Sequence, residues 1–167
     1  EARRYFRAAI ALDPNFSSPH TSIARSYSRG VVTDLPEDME ERYRLSMESA
    51  QKAVLLDRDD AYAYVGMGFA QHRTNPEAAV DAFEEALSIN PNLAIAHFGM
   101  SVALVSARQP DRAISHLQIA FRLSPRDPLT DAYHRVMATA FFLKGEYDLV
   151  IEWSSKARTI KTLYGRT

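Results

Sequence analysis

The stretch Ala86-Leu87-Ser88-Ile89-Asn90-Pro91 decides how this chain is read, because its pattern returns three times. It recurs as Ala9-Ile10-Ala11-Leu12-Asp13-Pro14, Ala53-Val54-Leu55-Leu56-Asp57-Arg58 and Ala120-Phe121-Arg122-Leu123-Ser124-Pro125. In each, a small Ala is followed by an apolar residue, a second apolar residue two further on, a polar residue and, in three of the four, Pro. Ala53, Ala86 and Ala120 stand 33 and 34 residues apart, and Ala157 follows 37 later as a fifth member. A period of this length marks a solenoid of stacked helical pairs.

The unit from Ala94 to Asp127 shows why the period means a helical hairpin. From Ala94 to about Ala107, His97, Met100, Ser101 and Leu104 form a stripe at three-and-four spacing. Arg108-Gln109-Pro110 then provides a turn with Pro suited to a first helical turn. A second helix carries Ala113, Leu117, Ala120 and Leu123 and stops at Ser124-Pro125. A methyl side chain at Ala113 and Ala120 lets two helices approach where a larger residue would hold them apart.

The same template places Tyr64, Met67 and Gly68, then Ala79, Phe83, Ala86 and Ile89, in the unit joined at Asn75-Pro76. The last unit has His134, Met137, Ala138 and Phe141, a turn at Lys144-Gly145-Glu146, then Tyr147, Val150, Ile151 and Ala157. An earlier unit begins with His20, Ile23, Ala24 and Tyr27 and holds roughly ten extra residues between Gly30 and Ser46. Asp34-Leu35-Pro36-Glu37-Asp38 reads there as a helix cap with acidic residues at the positive end of the dipole. The excess predicts a loop followed by a lengthened second helix over about Pro36 to Leu56. The chain therefore divides into 1–16, a second helix lacking its partner; repeats 17–59, 60–93, 94–127 and 128–161; and a tail, 162–167.

These units resemble the tetratricopeptide repeat family over nearly the whole chain. The resemblance rests on Gly68, Ser101 and Ala138 in first helices, Ala79, Ala113 and Ala120 in second helices, and the closing Pro14, Pro91 and Pro125. Arg58 at a closing-Pro position, His at three large-apolar positions and Val150 at a small-residue position depart from the family pattern. The resemblance implies an all-α fold, a right-handed superhelical solenoid of antiparallel helix pairs with about nine helices, and a binding function. The opening stretch 2–16, followed by a unit with a long second helix, also looks like the repeat tails of bacterial class III adenylate or guanylate cyclases and of some winged-helix transcription regulators. No cyclase or winged-helix domain is present in these 167 residues.

Composition narrows the function. Lys and Arg number 20 against 21 Asp and Glu, so no overall field draws a nucleic acid or an anionic membrane. Arg3, Arg4 and Arg7 form a local cluster that reads most simply as a solvated helix face. The absence of Cys excludes disulfides and thiolate metal sites and fits a reducing, cytoplasmic setting. No apolar run approaches the ~18 residues of a membrane span, so membrane insertion is not expected. Because Glu1 to Leu12 matches a second helix and Lys161 to Thr167 is too short to cap an array, the expectation is a piece of a longer protein, or ends covered in a homo-oligomer.

No constellation points to catalysis. His20, His97 and His134 occupy equivalent positions in successive first helices and are expected to pack within their own hairpins, far from a shared ion; no metal or other cofactor is expected. His72 and His116 have no ligand neighbour at helical spacing and read as surface residues. Gly66-Met67-Gly68 lacks the third Gly of a dinucleotide fingerprint and falls inside a helix, where it serves close packing. Ser154-Ser155-Lys156 has no partner base in view, and the adjacent Glu84 and Glu85 diverge around a helix.

The informative constellation is apolar. The segment 94–107 carries no charge and has a second stripe, Ile95, Phe98, Val102 and Val105. A helix apolar all round is normally buried. In the resembled family, first helices line the concave face, which implies a groove bounded by Tyr62, Val65 and Phe69 on one side and by Arg135, Thr139 and Phe142 on the other. A tightly curled superhelix would instead bury the stripe against its own units; the sequence leaves both open. Exposed, four such side chains offer roughly 6–12 kcal/mol gross, at ~1.5–3 each, before association costs. That suits a helical or extended protein segment, a protein or peptide partner, held in an apolar groove with one basic edge. Thr21, Ser22 and Arg25 stand where a carboxylate clamp of the family would begin and do not supply one.

Overall fold

The structure is a computed structural model and describes residues 2–28 and 36–164. Among these it contains nine α-helices and no strand. The chain divides after Pro91 into two units. The first holds α1 (Ala2–Leu12), α2 (Ser17–Ser28), α3 (Pro36–Leu56), α4 (Ala61–Gln71) and α5 (Pro76–Ile89). The second holds α6 (Ala94–Ser106), α7 (Pro110–Leu123), α8 (Thr130–Lys144) and α9 (Tyr147–Tyr164). The loop expected after Gly30, with Asp34 and Leu35 of its acidic cap, lies outside the described residues, as do residues 165–167.

The four recurring endings share one hydrogen bond. The carbonyl of Ala9, Ala53, Ala86 or Ala120 accepts from the backbone N–H of Asp13, Asp57, Asn90 or Ser124, at 2.9, 2.9, 3.0 and 3.0 Å. This is the last helical bond of α1, α3, α5 and α7. After it the chain leaves the helix at a polar residue, and Pro14, Pro91 and Pro125 cannot donate a bond to prolong it. The next helices start on short side-chain caps. Asp60 Oδ1 accepts from the Tyr62 N–H at 2.9 Å, and Asn75 Oδ1 from the Ala78 N–H at 3.2 Å. Pro76 and Pro110 take the first positions of α5 and α7, where a missing N–H costs nothing. Gly145 ends α8 at φ 77°, the left-handed conformation that a turn of this tightness requires.

In the first unit, consecutive helices pack side by side, and α2 also packs on α4. Small residues set the spacing where α2, α3 and α4 meet. Ala24, Ala50, Ala53 and Ala63 are fully buried, and a Cβ placed on Gly66 would lie 3.2 Å from the Ala24 Cβ. Ser46, also buried, donates to the Ala24 carbonyl at 2.8 Å, so its hydroxyl is satisfied without water. Across the α4–α5 hairpin the buried Phe83 ring lies flat over Gly68: a Cβ there would stand 2.6 Å from two ring atoms.

In the second unit, α6 pairs with α7, α8 with α9, and α8 packs back on both α6 and α7. Met100, Leu104, Leu117, Tyr133 and Met137 are its largest fully enclosed side chains. Aromatic rings join the two hairpins. Tyr133 stacks on Phe98 with centroids 4.7 Å apart and meets Phe121 edge-on at 5.3 Å. Phe121 and Trp153 flank His134 at 5.3 and 5.5 Å. Such pairs contribute about 0.5–1.5 kcal/mol each beyond the area they bury.

The two glycines of α4 should respond differently to substitution by Ala. Gly68→Ala should cost about 1–3 kcal/mol, because the enclosed Phe83 ring has nowhere to move and overpacking exceeds the ~1 kcal/mol gain in helix propensity. Gly66→Ala, with a 3.2 Å contact to one methyl group, should lie within about 1 kcal/mol of the parent. Urea unfolding midpoints followed by circular dichroism check both.

Candidate functional site

The ten residues expected to line a groove fall on two surfaces, one in each unit. On the first, Tyr62 opens α4 with its ring exposed, and the Arg25 guanidinium of α2 lies 5.0 Å above the ring centroid. A cation over an aromatic face holds both side chains at the surface. Phe69, two turns along α4, is half-buried, with its ring edge-on to Phe83 at 5.2 Å. Val65, between them in sequence, is fully buried. It belongs to the core and offers nothing to a partner.

The second surface is built on α6 and α8. Ile95, Val102 and Val105 are half-buried along one side of α6. Phe98 is only 8% exposed, because Tyr133 reaches across from α8 and stacks on it. Phe98 is thus the floor of this face and no part of its contact surface. On α8, Arg135, Thr139 and Phe142 are all exposed. Phe142 stands 59% exposed, its ring edge-on to that of Tyr147 with centroids 6.1 Å apart. The expected basic edge is neutralised: Arg135 ion-pairs with Asp131, one turn earlier on the same helix. The Thr139 hydroxyl bonds back to the Arg135 carbonyl at 2.9 Å. What the face presents is an uncharged apolar strip ending in an aromatic ring.

The histidines sit largely within hairpins, with one pairing that spacing did not reveal. His97, buried on α6, meets His116 of α7 with Nδ1 atoms 3.0 Å apart and ring centroids 5.2 Å apart. The rings lie nearly end to end, and one Nδ1–H donates to the other ring's lone pair. His116 is therefore no free surface residue. Burial, the His97 ring and the nearby Arg112 together push its pKa down to about 4, burial contributing most. His72 is also engaged, its Nδ1 lying 2.8 Å from the Phe69 carbonyl, and burial lowers its pKa too. Burial likewise lowers His20 and His134. Two histidines on facing helices, 19 positions apart, leave no mark in the periodicity of either helix.

No group of three or more His, Asp or Glu able to hold a metal ion occurs among the described residues. The Ser155 hydroxyl bonds back to the Ile151 carbonyl at 2.8 Å, and Lys156 is held by Glu152 at 2.6 Å and lies 4.0 Å over the Trp153 ring. Neither is poised as a nucleophile or base. No helix among the described residues is long and apolar enough to cross a membrane.

Residues 71–93 match the family model described as Tetratricopeptide repeat. No curated protein sequence matches the chain. Among solved structures, a crystal structure of MamA superposes with a TM-score of 0.66 at 22% identity, covering 99% of this chain and 90% of that one. A second crystal structure of MamA protein gives 0.64 at 22% identity, covering 99% and 85%. The Cut9–Hcn1 hetero-tetramer of the APC/C gives 0.63 at 19% identity, covering 99% of this chain and 36% of that one. These likenesses are of fold alone: an all-α array of antiparallel helical pairs.

The His116 shift carries a stability consequence. With its pKa near 4 when folded and about 6.5 when unfolded, the unfolded chain binds the extra proton in between. Its contribution is fully present above pH 6.5 and declines as pH falls from 6.5 towards 4. Allowing for solvent screening of a partly exposed ring, the loss is about 1–2 kcal/mol. Urea midpoints between pH 7 and 4.5 should fall, and His116→Gln should flatten that slope without removing the share of His20, His72 and His134.

Proposed function

We propose that this tetratricopeptide-repeat array is a non-catalytic docking module that holds a protein segment on the α6–α8 face. The observation that carries the reading is the charge-free helix α6. Its Ile95, Val102 and Val105 are not fully enclosed, and the strip continues onto the exposed Phe142 of α8. Water gains little from such a surface, and apolar contact is what it offers. Ile95, Val102 and Val105 are at most about a third exposed and Phe142 59%, so completing their burial gives at most about 2–5 kcal/mol gross, at ~1.5–3 per whole side chain. Only part of this survives the cost of association, which places a segment bound here in the weak, micromolar-to-millimolar range unless it gains further contacts.

The uncharged character of the strip selects the ligand class. A helical or extended segment with an apolar face suits it, since a charged side chain lowered onto Val102 or Val105 would lose hydration with no partner. Arg135, already satisfied by Asp131, adds little attraction for an acidic segment. On the first unit, Tyr62 and Phe69 with the Arg25 guanidinium form a second, more polar surface for contact. Val65 and Phe98 act beneath these surfaces by fixing the backbone that presents them.

The test separates contact from support. Val102→Asp combined with Phe142→Asp should leave helical content and thermal midpoint nearly unchanged while reducing partner capture at least tenfold. A photo-crosslinking residue at position 102 should label the captured segment, and one at the outward-facing Glu85 should not. Phe98→Asp should instead lower stability by about 3–5 kcal/mol, because it removes a stacked ring and buries an unpaired charge. Capture undiminished by the double substitution in a folded chain would move the site away from this face.

A further inference from the structure

Helices α6 and α7 meet across a polar contact as well as an apolar seam. His97 and His116 face each other from the two helices with Nδ1 atoms 3.0 Å apart, and His97 is buried. The 5.2 Å between ring centroids is close to that gap plus the two ring radii, so both nitrogens and both ring centres fall nearly on one line. As the pair stands, one ring supplies a proton and the other a lone pair. Once the donor ring moves its proton to Nε2, two lone pairs point head-on at each other. A cation placed between them takes both, and no net proton is released.

The surroundings decide which cation suits the pair. A protein zinc site draws at least three ligands from side chains, and no third His, Asp or Glu joins these two among the described residues. Burial first, then the His97 ring and Arg112, hold the pKa of His116 down at about 4. Its lone pair is therefore free of a proton at neutral pH. The same burial and the same Arg112 charge oppose a divalent ion more steeply than a monovalent one, because the cost of taking an ion out of water rises with the square of its charge. What fits is a soft monovalent ion satisfied by two nitrogens in line. Imidazole is a good copper ligand, and closed-shell Cu(I) accepts linear two-fold coordination.

We propose that His97 and His116 form a two-coordinate site for Cu(I), the ion lying in line between the two Nδ1 atoms and stapling α6 to α7. Two metal–nitrogen bonds of about 2 Å set end to end need roughly 4 Å between the nitrogens, so the rings must part by about 1 Å. His116 is partly exposed and has room to draw back.

Titration of the intact chain with Cu(I), kept reduced under nitrogen and buffered by a chromogenic chelator, tests this, with Ag(I) as a redox-inert stand-in. The chain should take one ion, and X-ray absorption should show two nitrogen neighbours in the linear arrangement. Nitrogen NMR should move the Nδ1 signals of His97 and His116 and leave those of His20, His72 and His134 in place. His116→Gln, shown by circular dichroism to be folded, should weaken binding at least about a hundredfold, and His72→Gln should leave it unchanged. Because only the folded hairpin brings the two rings together, one equivalent of the ion should raise the urea midpoint of the parent and not that of His116→Gln. A chain that fails to draw Cu(I) from the chelator overturns the proposal. So does binding that survives His116→Gln, or Zn(II) that displaces Cu(I) from the pair.

Discussion

The constraint on which this structure depends is the close approach of helices at points where a side chain has been reduced to a methyl group or a hydrogen. Antiparallel helices with large residues along the whole seam stand apart and leave gaps that nothing fills. Here Ala24, Ala50 and Gly66 bring α2, α3 and α4 together, and Gly68 admits the Phe83 ring of α5 to within contact of the α4 backbone. In the second unit Ala103, Ala113, Ala120 and Ala140 are fully buried in the same way. The large residues then fill what remains, as Leu104, Leu117 and Met137 do. Contact sites come third, since a face is presented only after the seam beneath it has been fixed.

The two units reach that state by different means. The first relies on small residues and on polar links between helices, such as the Thr21 hydroxyl donating to Asp60 at 2.9 Å, a carboxylate that also caps α4. The second runs aromatic rings from Phe98 through Tyr133 and Phe121 to His134 and Trp153. Rings contribute area and orientation together, which suits positions where a helix must be held at one angle. Tyr133 is the joint of this chain of contacts. It covers Phe98 on one side and meets Phe121 on the other, and burial, with the Asp127 carboxylate adding to it, pushes its phenol well above the usual range.

Much of the fold was legible because it rests on local chemistry repeated in sequence. The Ala-to-Pro endings, Asn75-Pro76, Gln109-Pro110 and Lys144-Gly145 are helix stops and starts that act over a few residues, and each appears where its chemistry requires. The candidate site was legible only in part, because exposure is decided by residues distant along the chain. The stripe Ile95, Phe98, Val102 and Val105 is uniform in pattern, yet Tyr133, 35 residues on, takes Phe98 out of it. Arg135 looked like a basic edge until Asp131 was placed one turn away, and that pairing was present at helical spacing in the sequence. The His97–His116 contact had no comparable sign, since it joins the two helices of a hairpin whose exact facing depends on helix rotation.

The interleaving of packed and exposed residues on a single helix explains why such a surface is suited to recognition. On α6, Phe98 is locked beneath Tyr133 while Val102, one turn further, keeps part of its surface in water. The exposed side chain is therefore carried by a backbone already fixed from behind. β-branched Val102 and Val105 have few rotamers to lose on contact, so ordering them costs less entropy than ordering Lys or Met would. A partner then contends mainly with its own loss of freedom. Shape follows from the same arrangement, because the positions of the exposed methyl groups are set by the aromatic stack beneath them. A substitution in that stack therefore alters the shape of the strip from beneath it.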